Sequence, residues 1–325
     1  MPGTVWTGSR SSDFQAVFMR KRLRNAFLLF LLTGLVAFWY LLRENSPGQF
    51  EPKQLDIAEL RSLAGSIPGQ APQGLSAGLI AIHKVPSDLI SPGSGMQRRI
   101  YGIMPFRLEV PGKPPILIDG GISRRLARQL GMSWYGDAGQ KKFVQTAQRA
   151  SLILATNERP EHLQGLLELA GEQSVIKQLR LNPGQLPSAR LAAKLHWPTQ
   201  PFVPAELSTG KPQAVAPGVV VIPAPGVTPG SQMIYVREAG GRELLFAGDI
   251  AQFADNAIHQ RARSHLLDLY GDAENRAEVQ AWLAAIGRLT AQAPNLVVVP
   301  AHDKLWLLDS GARPNLIDWP DDVPE

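Results

Sequence analysis

The stretch SLILATNERPEHLQGLLELAG, residues 151 to 171, packs an apolar strand, an ionisable turn and a helix into 21 residues. Ser151 to Ala155 reads as a buried strand and Asn157 to Arg159 as a polar turn. Pro160 opens a helix carrying Leu163, Leu166, Leu167 and Leu169. This order sets Glu161 and His162 at the carboxyl end of a strand, where open α/β sheets gather ligands. A carboxylate beside an imidazole there is a candidate metal or acid/base pair. Three further runs end in residues of the same kind: PILIDGG at Asp119, LLFAGDI at Asp249 and NLVVVPAHD at His302. Each of these aspartates also has a plainer reading as a strand-end turn residue beside glycine.

The elements that must position these side chains alternate in type. LSAGLIAIHKV, RRIYGIMPFRLEV and PPILIDGG read as consecutive strands, and SRRLARQLGM and GDAGQKKFVQTAQRA as amphipathic helices leading back to residue 151. After a Pro-rich stretch, residues 218 to 250 give a strand, a loop, and a hairpin turned by Ala239, Gly240 and Gly241. Helical segments at FADNAIHQRARSHLLDLY and AENRAEVQAWLAAIGRLTAQ precede the last strand. This strand and helix alternation is α/β behaviour.

Several of these runs resemble the motifs of the metallo-β-lactamase-fold (MBL-fold) metallo-hydrolases. TNERPEHLQGL is similar to their THxHxDHxGGL: Thr156, His162, Gly165 and Leu166 match, while Asn157 and Arg159 stand for histidines, Glu161 for aspartate and Gln164 for glycine. PGVTPGS at 225 to 231 resembles PGHTPGS at six of seven positions, with Gly226 and Gly230 kept to shape the loop and Val227 in place of a histidine. FAGD resembles the FTGD that ends in a metal-bridging aspartate, PAHD resembles the strand end carrying the last histidine, and Asp119 falls at the D-x-G turn that braces the site. These five motifs occur in family order over residues 115 to 303.

The resemblance implies a four-layer αββα sandwich, an α+β arrangement of two face-to-face sheets with helices outside. It also implies a degenerate metal centre. Carried over, the first metal site becomes Asn157, Arg159 and Val227, which offer no useful nitrogen ligand: valine donates nothing and arginine stays protonated. The second becomes Glu161, His162, Asp249 and His302, two imidazoles and two carboxylates that suit one divalent metal, zinc foremost. Glu161 and Asp249 are then candidate catalytic carboxylates, and Arg159 a fixed cation in place of the lost metal or an ion-pair partner of Glu161. Two readings stand: a one-metal hydrolase of ester, lactone or phosphoester substrates, or an inactive relative that binds a ligand or an envelope partner without any metal. A metal-free chemistry has no nucleophile motif to rest on, since there is no G-x-S-x-G and no cysteine.

His83, His196, His259 and His265 carry no site expectation. The 325 residues include 33 Lys or Arg against 28 Asp or Glu, a net charge of +5. Residues 1 to 43 hold six of the basic residues and one aspartate, which accounts for the whole excess, so nothing points to nucleic acid as a partner.

Residues 26 to 42, AFLLFLLTGLVAFWYLL, are 17 uncharged residues that as a helix rise roughly 26 Å, close to a bilayer core of about 30 Å. Arg20, Lys21, Arg22 and Arg24 precede them and only Arg43 follows, so the positive-inside rule predicts a cytoplasmic tail (1–25), a single-pass anchor (26–42) in the inner membrane and a periplasmic or other extracytoplasmic domain. A cleaved signal peptide is the rival, but no A-x-A site follows. Residues 43 to 74, rich in Pro, Gly and Gln around LDIAELRSLAG, read as a linker, and 75 to 325 as the folded domain.

Overall fold

A computed structural model describes residues 10–46, 48–199, 202–270 and 273–309. The ends of the expected tail (1–9) and domain (310–325) lie outside the described residues.

Apolar strands buried on both faces build the centre. In Ile116–Ile118 and Leu152–Leu154 the outer residues of each triplet pack between two sheets, while Leu117 and Ile153 face a helical layer. Val219–Pro223 and Gln232–Arg237 divide likewise: Val219, Val221, Ile234 and Val236 point at the first sheet, and Val220, Ile222, Met233 and Tyr235 at helices behind. The first sheet runs in the order Leu75–Ala77, Phe106–Leu108, Ile116–Ile118, Leu152–Leu154, Leu179–Leu181, Ala205–Glu206. The second runs Gln213–Ala216, Val219–Pro223, Gln232–Arg237, Glu243–Phe246, Leu296–Val299. Helices Asp137–Arg149, Pro160–Glu168 and Gln173–Gln178 cover the first sheet, and Arg276–Gln292 covers the second. The architecture is αββα.

Two expected strands are each divided. LSAGLIAIHKV becomes Leu75–Ala77 and Ala81–Pro86, and RRIYGIMPFRLEV becomes Arg98–Ile103 and Phe106–Leu108. The break falls at Pro105, which has no N–H for a ladder; its carbonyl instead accepts from Gly78 N. The parts beyond the break form a small third sheet with Trp134–Tyr135. That detour carries Tyr101 and Gly102 to the site. The helix expected at 253–270 is also divided, into Ala254–His259 and His265–Asp268.

The expected linker is in large part domain. Helix Ile57–Ala64, capped by Asp56, sets Leu55, Ile57, Leu60 and Ala64 into the core behind the second sheet. Arg61 reinforces it with a two-pronged bond to the Glu243 carboxylate. Before it, Phe18–Arg43 forms a helical stretch of 26 residues, none of it buried, long and apolar enough to cross a membrane.

Candidate metal centre

The loops at the carboxyl ends of Leu152–Leu154, Glu243–Phe246 and Leu296–Val299 bring His162, Asp249 and His302 together, with their ligand atoms within 4.8 Å of one another. All three are buried. Nε2 of His162 lies 3.1 Å and Nε2 of His302 2.9 Å from the same oxygen, Oδ1 of Asp249.

What each imidazole does with its other nitrogen decides what faces that oxygen. His302 Nδ1 is 2.8 Å from the carbonyl of Gly102, which can only accept, so Nδ1 carries the proton. His162 Nδ1 lies 3.0 Å from Asp119 Oδ2, again an acceptor. Neutral rings so oriented aim two Nε2 lone pairs at a carboxylate oxygen, an arrangement that calls for a cation among them. The donor set fits a divalent metal with nitrogen and oxygen ligands. Without one the charge is balanced by protons: burial works against it, but the Asp249 and Asp119 carboxylates raise His162 well above the usual histidine range. Burial alone would raise Asp249; His162 and Arg159 outweigh it and hold the carboxyl well below the usual range.

Asp119 is the brace beneath. Its backbone is left-handed at φ 64°, and its carboxylate accepts from Thr156 N at 2.6 Å and Thr156 Oγ1 at 2.9 Å while facing His162. The following glycines let helix Pro160–Glu168 sit directly on this turn. Gly120 N donates to the His162 carbonyl, and a Cβ on Gly165 would come within 2.0 Å of Gly121 O. Gln164, which replaces a family glycine, holds the backbone of His196 through both amide atoms.

Of the first-site positions only Arg159 touches this trio, and all three are filled differently. Arg159 Nη1 donates to Asp249 Oδ2 at 2.8 Å, so the carboxylate has the imidazoles on one oxygen and a guanidinium on the other. Its ion pair is thus with Asp249 rather than Glu161. Asn157 Oδ1 caps the turn by accepting from Arg159 N, while its Nδ2 is buried with no partner. Val227 is buried among apolar side chains behind the second sheet. Glu161 does not join the trio: it is half-buried in the first turn of helix Pro160–Glu168, and the expected four ligands reduce to three converging ones.

Two residues near the site had no signal in the sequence. Tyr101 stacks on His302, with centroids 4.0 Å apart and planes at 18°; burial and the Asp249 carboxylate raise its hydroxyl well above the usual range, so it stays protonated. Glu158, buried, accepts from Thr228 Oγ1 at 2.6 Å and Gly230 N at 3.1 Å and pairs with Arg190 at 2.5 Å, locking the PGVTPGS loop to the ionisable turn. Gly230 leaves room for it, since a Cβ there would meet Glu158 Oε2 at 2.5 Å. Gly226, at φ 155°, turns the same loop toward helix Arg276–Gln292, and its carbonyl accepts from Asn275 N.

No family model and no curated protein matches the chain. Solved structures do. An N-acyl homoserine lactone hydrolase with the product N-hexanoyl-L-homoserine at its catalytic metal centre is 12% identical, with 74% of this chain and 97% of that one covered and a TM-score of 0.56. A quorum-quenching N-acyl homoserine lactone lactonase is 14% identical over 75% and 97%, with a TM-score of 0.55. A probable metal-dependent hydrolase from Staphylococcus aureus is 13% identical over 73% and 91%, with a TM-score of 0.54. The protein has the metallo-β-lactamase fold.

Proposed function

We propose that the protein is a membrane-anchored, metal-dependent hydrolase of ester or lactone substrates that uses one divalent metal, zinc foremost. The observation that carries this reading is the commitment of both Nδ1 atoms elsewhere, which turns two Nε2 lone pairs onto one oxygen of Asp249. His162, Asp249 and His302 would hold the ion, which when bound supplies Lewis acidity toward a substrate carbonyl and lowers the pKa of water. The lactonase neighbours share the fold and favour lactones among the substrate classes.

The chain's own groups complete the proposal. Arg159 has one hydrogen-bonded guanidinium nitrogen, on Asp249, and no second side-chain hydrogen bond among the described residues; Asn157 Nδ2 is a buried donor without a hydrogen bond. Both occupy positions that the motif resemblance assigns to the first metal's ligands, and there they would stabilise negative charge on a substrate oxygen. Glu161, outside the trio and one methylene longer than the family's aspartate, is the carboxylate free to take a proton. The Phe18–Arg43 helix anchors the enzyme with its basic flank cytoplasmic and the domain across the inner membrane.

A second reading, a non-catalytic binding protein, is favoured by the closure of the centre: Asp249 has no exposed side-chain surface and its oxygens are already taken by Arg159 and the imidazoles. The two readings separate in a turnover assay of the full chain in detergent, loaded with zinc and offered lactones, carboxylic esters and phosphodiesters. The hydrolase predicts zinc-dependent turnover, falling about 100-fold or more in Arg159→Ala. Full activity in that variant would remove the charge-stabilising role of Arg159. Absence of zinc-dependent turnover on all three classes, with zinc bound, would favour the binding protein.

A further inference from the structure

The N-terminal helix is held by the domain at the point where it leaves it. After Phe38 it passes into a π-helical turn, Trp39–Arg43. The Tyr40 ring stacks on His265, with centroids 4.5 Å apart and planes at 10°. Arg43 Nη1 donates to Asp88 Oδ2 at 2.7 Å, and Glu44 Oε2 lies 2.9 Å from His265 Nε2. Asp88 is fully buried, and its other oxygen accepts from Gly93 N and Gly95 N, so the arginine is tied to an ordered part of the fold. These contacts from three residues within the five-residue stretch 40 to 44 fix where the domain sits against the end of the apolar helix.

His265 opens the short helix His265–Asp268, and Leu269 continues its backbone conformation at φ −79°, ψ −22°. Four residues on, Leu269 shares the face of His265 and lies roughly 6 Å further along it. That is the face turned to Tyr40. Leu269 is 68% exposed and Tyr270, which follows it, 83%. On the side before them the chain is tied down by Arg263, which pairs with Asp268 at 2.7 Å. A leucine and a tyrosine bared side by side, next to the exit of an apolar helix, match the composition of a bilayer interface, where tyrosine puts its ring among chains and its hydroxyl among headgroups.

We infer that Leu269 and Tyr270 are a second membrane contact, inserted into the interfacial zone of the leaflet from which the apolar helix emerges. The inference rests on the proposed anchor. With the chain already tethered, a two-residue contact suffices, because tethering makes insertion effectively intramolecular. Paired with the docked helix end, it fixes the rotation of the domain on the membrane surface as well as its distance.

The chain has no cysteine, so single-cysteine variants of the full protein can be labelled cleanly with a fluorophore. Leu31→Cys in the apolar helix, Leu269→Cys, Tyr270→Cys and Gln145→Cys, exposed on helix Asp137–Arg149, would be compared in phosphatidylcholine and phosphatidylglycerol vesicles. Lipids spin-labelled at shallow or deep positions and aqueous iodide serve as quenchers. The inference expects deep-lipid quenching at 31, shallow-lipid quenching with loss of iodide access at 269 and 270, and iodide quenching alone at 145. Labels at 269 and 270 that behave like the one at 145, with 31 still quenched by lipid, would overturn the second contact and leave the anchor standing. A label at 31 open to iodide would overturn both.

Discussion

Asp249→Ala is expected to lower the unfolding free energy of the metal-free protein by about 3–5 kcal/mol, as removal of one partner from a buried ionic cluster does. Asp249 is the shared acceptor of three groups: Arg159 on Oδ2, and His162 and His302 on Oδ1. Its loss leaves a largely buried guanidinium and the buried His162 imidazole without their counter-charge, and His302 Nε2 without its partner. Burial already works against Arg159, and its charge is kept by Asp249 foremost, then by Glu161. The measurement is urea unfolding in the presence of a chelator. Asp249→Asn, which keeps the shape and one oxygen acceptor, should lose less. An alanine variant with the parent's midpoint and slope would show that the three contacts contribute nothing to stability.

The second large effect is a gain. Asn157→His, Arg159→His and Val227→His combined are expected to bind one more equivalent of zinc than the parent. The triple change restores the three nitrogen ligands that the motif resemblance assigns to the first site, and it removes the guanidinium from Asp249 Oδ2, freeing that oxygen to bridge. The loop that must deliver the third histidine is intact, held by Glu158 on Thr228 and Gly230 and by Asn275 on Gly226. Metal analysis of the purified variant checks it. A triple variant that folds with no extra metal would place the degeneracy in the loop geometry rather than in the ligands.

The strands that position the centre were legible because both of their faces are buried, which leaves short continuous apolar runs such as ILI at 116 to 118 and VVVIP at 219 to 223. The converging residues were legible only through motif resemblance. Asp249 and His302 lie 87 and 140 positions beyond His162, and spacing along the chain says nothing of that meeting. Tyr101 was invisible for the same reason: in sequence it is one aromatic in a strand, and only the third sheet lays it on His302. Glu158 escaped because it occupies a variable place in the signature, and the partners that make it a lock, Thr228 and Gly230, come from a loop 70 residues away.

Helix Ile57–Ala64 shows a different limit. Its apolar spacing was readable, but the prolines and glycines around it suggested a stalk; what decides its place is the apolar back of the second sheet, which no local pattern describes. The apolar N-terminal run was plain, whereas its docking through Tyr40, Arg43 and Glu44 depends on His265 and Asp88, residues with no signal of their own.

The most direct test of the account is the metal content of the full chain, purified in detergent without chelator or affinity-tag metal, beside an Asp249→Ala, His302→Ala double variant. The account predicts close to one divalent ion per chain in the parent and none in the variant, with the difference restored to the parent by dialysis against zinc. A parent that stays empty after zinc, iron and manganese are each offered at modest excess would contradict it, and Arg159 and His162 would then be counter-ions of Asp249, with His302 its hydrogen-bond partner, in a closed, metal-free core.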